Sequence, residues 1–333
     1  MLAPVTEASP IEQPLLRLGL AAAAAYPQFV SELAQASGMD PGHLACGTLV
    51  IARDADEARA LERELEMRRS LGLAVQRLRP SQVRALEPAL APGVRLGLQV
   101  SDDHAIDPRS LTAALVVAAR AAGAEIRSQT PVSALELAAP DRVAGVRLAD
   151  AGRVRAGHVV IAAGAWSGSL VGLPEGARVP VHPVKGQILR LHDPAGPGLL
   201  GHVLRMAQGY LVPRGDGRYV LGATMEERGF DTTVTAQAAL ELLRDATELL
   251  PGLGELVIDE MSAGLRPATA DNAPAIGPGA LAGLHWATGH HRNGILLAPI
   301  TAQLVLAGLC AEAPTDLAAP FAPDRFSRVT VQA

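Results

Sequence analysis

The segment that most constrains the fold runs from residue 284 to residue 311. A strand-like Leu-His-Trp-Ala-Thr run meets the turn Gly289-His290-His291-Arg292-Asn293-Gly294, and the 18 residues from Gly294 to Ala311 carry no charge. That length is marginal for a membrane crossing, and Pro299, Thr301 and Gln303 interrupt it, so it reads as a core helix beneath a sheet. The turn then lies between a strand's carboxyl end and a helix's amino end, where free backbone N–H groups meet anions or developing negative charge. Gly289 and Gly294 let the backbone approach a planar ring without Cβ contacts. An ordinary surface loop is the alternative reading.

The rest of the chain alternates helix-like and strand-like runs, which favours an α/β or α+β fold. Helical periodicity covers residues 14–37 with a break at Pro27, residues 54–71, and residues 108–122, where Asp107 is the cap and Pro108 opens the helix. Strands are expected at residues 48–52, 124–127, 143–148, 158–162, 187–191, 210–212, 219–222, 256–263 and 284–288. Gly/Pro-rich stretches at 88–97, 172–183 and 194–201 mark crossings between two domains.

Composition narrows the class. Apolar residues make up 49% of the 333 and charged residues 19%, which excludes disorder as the main state. The net charge is -5 with no basic run, so nucleic acid is not an expected partner. Cys46 and Cys310 are the only cysteines, which excludes a disulfide framework and fits a reducing cytoplasm. No metal site is expected. Residues 1–6 do not read as a signal peptide. Lys185 is the only lysine among 29 basic residues.

Two glycine-containing runs compete as cofactor sites. Gly196, Gly198 and Gly201 satisfy G-x-G-x-x-G formally, but Pro194 and Pro197 interrupt the run and a strand follows it, so the helix that would present amides to a pyrophosphate is lacking. The run His158-Val-Val-Ile-Ala-Ala-Gly164-Ala-Trp166-Ser167 is the better candidate, a β-branched strand ending in small residues before a helix start; a plain strand-to-helix turn is the alternative.

Taken together, GLRPATADNAPAIG (264–277), ATGHHRNGILLAP (287–299), HVVIAAGAWSG (158–168), PVKGQ (183–187) and YLVPRGDGRYVLGATME (210–226) resemble the FAD-dependent D-amino acid oxidase family, and within it the glycine oxidase branch of thiamine biosynthesis. The resemblance implies an FAD-binding Rossmann-like domain (1–40, 103–178 and 265–333) interwoven with an antiparallel-sheet substrate domain (41–102 and 179–264). The family opens with a β-α-β unit of roughly 40–50 residues. Met1-Leu2-Ala3-Pro4 resembles the segment beyond that unit, so an N-terminally truncated chain, weak in FAD binding, is expected.

The activity implied is oxidation of glycine or another small amino acid by hydride transfer from the α-carbon to FAD, with dioxygen reoxidising the flavin to give hydrogen peroxide. The resemblance assigns Arg266 to the substrate carboxylate, Tyr210 as a further donor, Met225 to the pocket wall and Arg292 to the loop beside flavin and substrate. It assigns cofactor contacts to Met1, Val132, Gly164, His290, His291, Arg292, Asn293, Gly294, Ile295 and Leu296. His291 stands where the family pattern has an aromatic residue. A sarcosine-type, D-amino acid or other secondary-amine oxidase, or an inactive fragment, are the alternatives; a homo-oligomer without membrane contact is expected.

Overall fold

A computed structural model describes residues 1–327. The first third comprises α1 (Gln13–Ser37), β1 (His43–Leu44), β2 (Thr48–Ala52), α2 (Ala55–Ser70), β3 (Gln76–Leu78), α3 (Pro80–Leu86), β4 (Leu96–Val100), β5 (Ala105–Ile106) and α4 (Pro108–Ala121). The middle holds β6 (Val132–Ala139), β7 (Arg142–Leu148), β8 (Arg153–Arg155), β9 (Val159–Ile161), β10 (Val181–His192), β11 (Val203–Met206), β12 (Gly209–Pro213) and β13 (Arg218–Gly222). Then follow α5 (Ala236–Leu249), β14 (Val257–Thr269), β15 (Ala275–Pro278), β16 (Leu284–Thr288) and α6 (Gly294–Leu309). The fold class is mixed α/β.

An eight-stranded sheet in the order β14-β10-β13-β12-β11-β2-β4-β3 is the largest layer. It is antiparallel except where β11 runs parallel to β2. Leu189, Leu204 and Leu221 of this sheet pack on Leu242, Ala246 and Leu249 of α5. A second core joins α1, α4 and α6 through Leu18, Tyr26, Leu111, Leu297 and Ile300. Leu297 is fully buried, so its truncation to alanine costs on the order of 2–5 kcal/mol. A three-stranded sheet, β15-β16-β9, lies against α6, and β6-β7-β8 form a separate meander.

Several elements depart from the sequence expectation. Helix α1 runs unbroken through Pro27, which stands on the exposed side of the helix while Leu18, Ala22, Tyr26 and Leu33 are buried on the opposite side. Residues 124–127 form no strand: they are exposed and pair with no strand among the described residues. Strands β10 and β14 extend well past 187–191 and 256–263, because they pair with each other from Val181–Thr269 to His192–Val257. Pro183 and Pro267 face each other there, so their missing N–H groups fall on one rung of the ladder. His158 lies outside β9, and strands β1, β3, β4, β5, β6, β8 and β15 and helices α3 and α5 were not anticipated.

The local signals behave as their chemistry requires. Asp54 caps α2 through Asp56 N and Glu57 N, and Asp107 caps α4 through Arg109 N. Helix α6 buries Leu296, Leu297, Ile300 and Val305 and packs on α1 and β15. By length and composition alone its segment, His291–Leu309, also satisfies the criterion for a membrane span. The G-x-G-x-x-G run at 196–201 precedes strand β11 and opens no helix.

Candidate active site

A cavity of about 1330 Å³ opens between the eight-stranded sheet and the start of α6. Arg266 stands in it on β14, opposite Val184 of β10. Its Nη1 donates to the carbonyls of Thr224 (3.0 Å) and Lys185 (3.3 Å). The guanidinium lies over Gly186, where any Cβ would overlap it. Anchoring one nitrogen on two carbonyls leaves the rest of the planar fork available for a carboxylate.

Tyr210 of β12 lies beside this guanidinium and is likewise accommodated by a glycine: a Cβ on Gly222 would stand 3.1 Å from the Tyr210 hydroxyl. Burial pushes the Tyr210 phenol up and the Arg266 guanidinium down, with Tyr210 partly offsetting the latter. A half-buried cation set on neutral partners gains more from a carboxylate than one already in an ion pair.

Arg292 and Arg205 also reach the cavity, and one carboxylate joins them. Glu7 Oε2 lies 2.7 Å from Arg292 Nε, and Glu7 Oε1 lies 2.7 Å from Arg205 Nη1. Glu7 projects from a segment bound at almost every backbone group. Leu2 exchanges two backbone hydrogen bonds with His104, Val5 N and Thr6 N donate to the buried Asp103 carboxylate, and buried Arg68 donates to Val5 O and Thr6 O. Desolvation pushes the Asp103 carboxyl up to about 6.

The two histidines of the turn are both held neutral. Burial lowers His290 to about 4, and its Nε2 is 2.9 Å from Thr301 Oγ1. His291 is lowered to about 4 by burial and then by Arg266 and Arg292, and both its ring nitrogens are buried without a hydrogen-bond partner. It adopts φ of 47°, in the left-handed region.

A polar network fixes the facing wall. Lys185 Nζ, 1% exposed, donates to Asp231 Oδ2 at 2.6 Å. Gln187 donates from Nε2 to Glu226 Oε1 and accepts from Thr235 N. These bonds hold the 224–235 loop, whose Met225 lines the cavity and is 62% exposed.

Of the residues anticipated from sequence, Arg266, Tyr210, Met225, Arg292, Met1, His291, Asn293, Gly294 and Ile295 line the cavity. His290, Leu296, Val132 and Gly164 do not. Leu296 is a core residue, Val132 starts β6 on the surface, and Gly164 follows β9 with its carbonyl near Thr288 Oγ1. Glu7, Arg205, Gly186 and the Lys185 network were missed; only Lys185 had been singled out, for its rarity.

The cavity fits the ring end of FAD together with a small substrate. It far exceeds an amino acid in size, its wall at 291–295 begins a 16-residue helix whose cap residue Asn293 makes no side-chain bond, and the His291 nitrogens lack partners.

The mixed α/β frame thus sets the Arg266 guanidinium fork and an open helix start in one cavity. Residues 1–307 match the family described as FAD dependent oxidoreductase, and the chain belongs to that family. The chain is 36% identical over 320 residues to the bifunctional protein ThiO/ThiG of Synechocystis sp., covering 95% of this chain and 46% of that protein, so it spans about half of that relative. It is 33% identical to the hydrogen cyanide synthase subunit HcnC of Pseudomonas aeruginosa, over 93% of this chain and 74% of that one. The crystal structure of glycine oxidase from Geobacillus kaustophilus superposes with a TM-score of 0.88 at 32% identity, covering 96% of this chain and 85% of that one.

Proposed function

We propose that the protein oxidises glycine or another small amino acid, binding its carboxylate on Arg266 with Tyr210 as second donor. The observation that carries this is the Arg266 fork, half-buried, anchored on two backbone carbonyls and given room by Gly186. Bound FAD would supply the two-electron acceptor for the hydrogen leaving the substrate α-carbon, with dioxygen as the final oxidant and hydrogen peroxide as its reduced product. In this reading Met1 and residues 291–295 would hold the flavin ring, His290 and Leu296 would support that wall, Val132 would meet the adenine side and Gly164 would lie under the cofactor.

The chain's residues act by placement. Arg266 and Tyr210 fix the carboxylate, and neutral His291 adds no competing cation. The oxidised product is an imine, which water converts to glyoxylate and ammonia when glycine is the substrate. Delivery of that product to thiazole synthesis in the thiamine pathway is the physiological setting proposed, supported by the ThiO/ThiG relative. A secondary-amine oxidase is the second reading, favoured by the cavity's size and by Met225 at its wall, which leave room for a substituent on nitrogen.

Hydrogen peroxide release from glycine, sarcosine and D-proline by the FAD-loaded protein tests both readings. Turnover of glycine above the others supports the first, and preference for sarcosine or D-proline supports the second. Absence of turnover with all three by protein carrying stoichiometric flavin overturns both.

A further inference from the structure

Arg205 and Arg292 stand at equal distances from the two oxygens of a single carboxylate, 2.7 Å each. A two-arginine fork around one carboxylate is the arrangement proteins use to bind a carboxylate ligand, yet here the occupant belongs to the chain itself. We propose that Glu7 is a specificity-determining residue: it fills a carboxylate site beside the Arg266 site and so restricts the enzyme to substrates with one carboxylate. This rests on the reading of Arg266 as the substrate's anchor.

The construction around Glu7 supports the assignment. An exposed ion pair contributes little to stability and needs no special backbone. Glu7 is 11% exposed in its side chain and sits on a segment whose neighbours Val5 and Thr6 are bound by buried Asp103 at their N–H groups and by buried Arg68 at their carbonyls. That rigid support holds the carboxylate in place against the two arginines. With Glu7 present, a second substrate carboxylate meets a negative charge, and Arg205 and Arg292 are already ion-paired with Glu7 at 2.7 Å, although Glu7 Oε2 itself makes no hydrogen bond. With Glu7 shortened, the same two groups face an unfilled space of carboxylate size.

The test uses inert ethers that cannot be oxidised as amines: methoxyacetate, with one carboxylate, and diglycolate, with two. Calorimetric titration of the FAD-loaded protein is the readout. In Glu7→Ala, diglycolate should bind about ten-fold tighter or better than in the unmodified enzyme, as one regained charge-assisted contact implies, while methoxyacetate changes less than about three-fold. Adding Arg205→Ala to Glu7→Ala should abolish the gain, which a merely structural role for Glu7 would not predict. Glu7→Gln, isosteric and neutral, should show a smaller gain and serves if the alanine variant does not fold. In turnover, the ratio of kcat/KM for iminodiacetate to that for glycine should rise in the same order.

An unchanged diglycolate affinity in both folded Glu7 variants overturns the proposal. Arg266→Lys separates the two layers. If it weakens methoxyacetate binding while Glu7→Ala gains nothing for diglycolate, only the Glu7 assignment fails; if methoxyacetate binds Arg266→Lys as it binds the unmodified enzyme, or binds neither, the Arg266 reading fails and the Glu7 proposal with it.

Discussion

Asp103 and Arg68 bind the same dipeptide from complementary sides: the carboxylate accepts from the N–H groups of Val5 and Thr6, at 3.2 and 2.6 Å, and the guanidinium donates to their carbonyls, at 3.1 and 2.7 Å. Both side chains are buried, and the next residue is Glu7. Replacing Asp103 by alanine leaves the N–H groups of Val5 and Thr6 without their acceptor, while Arg68 keeps its own acceptors on Val5, Thr6 and Glu64. The loss should be on the order of 2–4 kcal/mol. Urea denaturation of Asp103→Ala at pH 7 checks the value; a change below about 1 kcal/mol contradicts the account.

Arg266→Lys should raise KM for the amino acid, since an ammonium cannot make two parallel hydrogen bonds to a carboxylate. The expected loss is on the order of 2–4 kcal/mol in kcat/KM. Steady-state kinetics with glycine measure it, and an unaltered KM removes Arg266 from the substrate site.

Gly186→Ala reaches the same guanidinium without touching its charge. The added methyl would overlap the Arg266 fork, so the side chain must move off its two carbonyl acceptors. The variant should lose roughly ten-fold or more in kcat/KM, and the loss should be far from additive with Arg266→Lys because both act through one side chain. A double-mutant cycle on glycine turnover decides this: full additivity shows that Gly186 acts elsewhere.

Such relationships explain which parts were legible in the sequence. Asp107 and Pro108 announce α4 because capping and the proline preference are settled within a few residues. The extension of β14 through Arg266 to Thr269 was hidden, since its strand character comes from the ladder to β10, some eighty residues distant. Residues 124–127 have strand-like composition but form none, because a strand requires a neighbour to accept its hydrogen bonds. Arg266 was readable within a motif. Glu7 was not, because its meaning depends on Arg205 and Arg292, and no spacing along the chain marks such a meeting.

Stability between pH 6.5 and 4 should reflect opposing groups. His290 and His291 are held at about 4, below the usual 6.5, so on acidification the unfolded chain takes up their protons first and the native state loses ground. For His290 alone the full loss is about 3 kcal/mol. Asp103, raised from 3.8 to about 6, works the other way: the native state binds its proton first, and stability is regained by a similar amount as pH falls from 6 toward 4. Asp103→Asn should therefore show a steeper acid loss than the unmodified protein, and His290→Asn a shallower one. Urea midpoints at pH 7, 6, 5 and 4 measure both slopes; parallel curves for all three proteins would refute the assignment.

The pH dependence of turnover tests whether a protein base takes part. Hydrogen leaves the α-carbon productively only when the amine lone pair is free to form the imine, so the reactive substrate is the neutral amine. The one imidazole lining the cavity among the described residues, His291, is held near 4 and is a weak base at neutral pH. Proximity to Arg266 also disfavours an ammonium in the bound substrate, lowering its pKa after binding. The kcat/KM of the FAD-loaded enzyme should rise with pH in step with the free amine, and its inflection should move down for an N-substituted glycine bearing an electron-withdrawing group. An inflection that stays fixed between the two substrates would assign the proton to a protein group, and His291→Asn would show whether that group is the histidine.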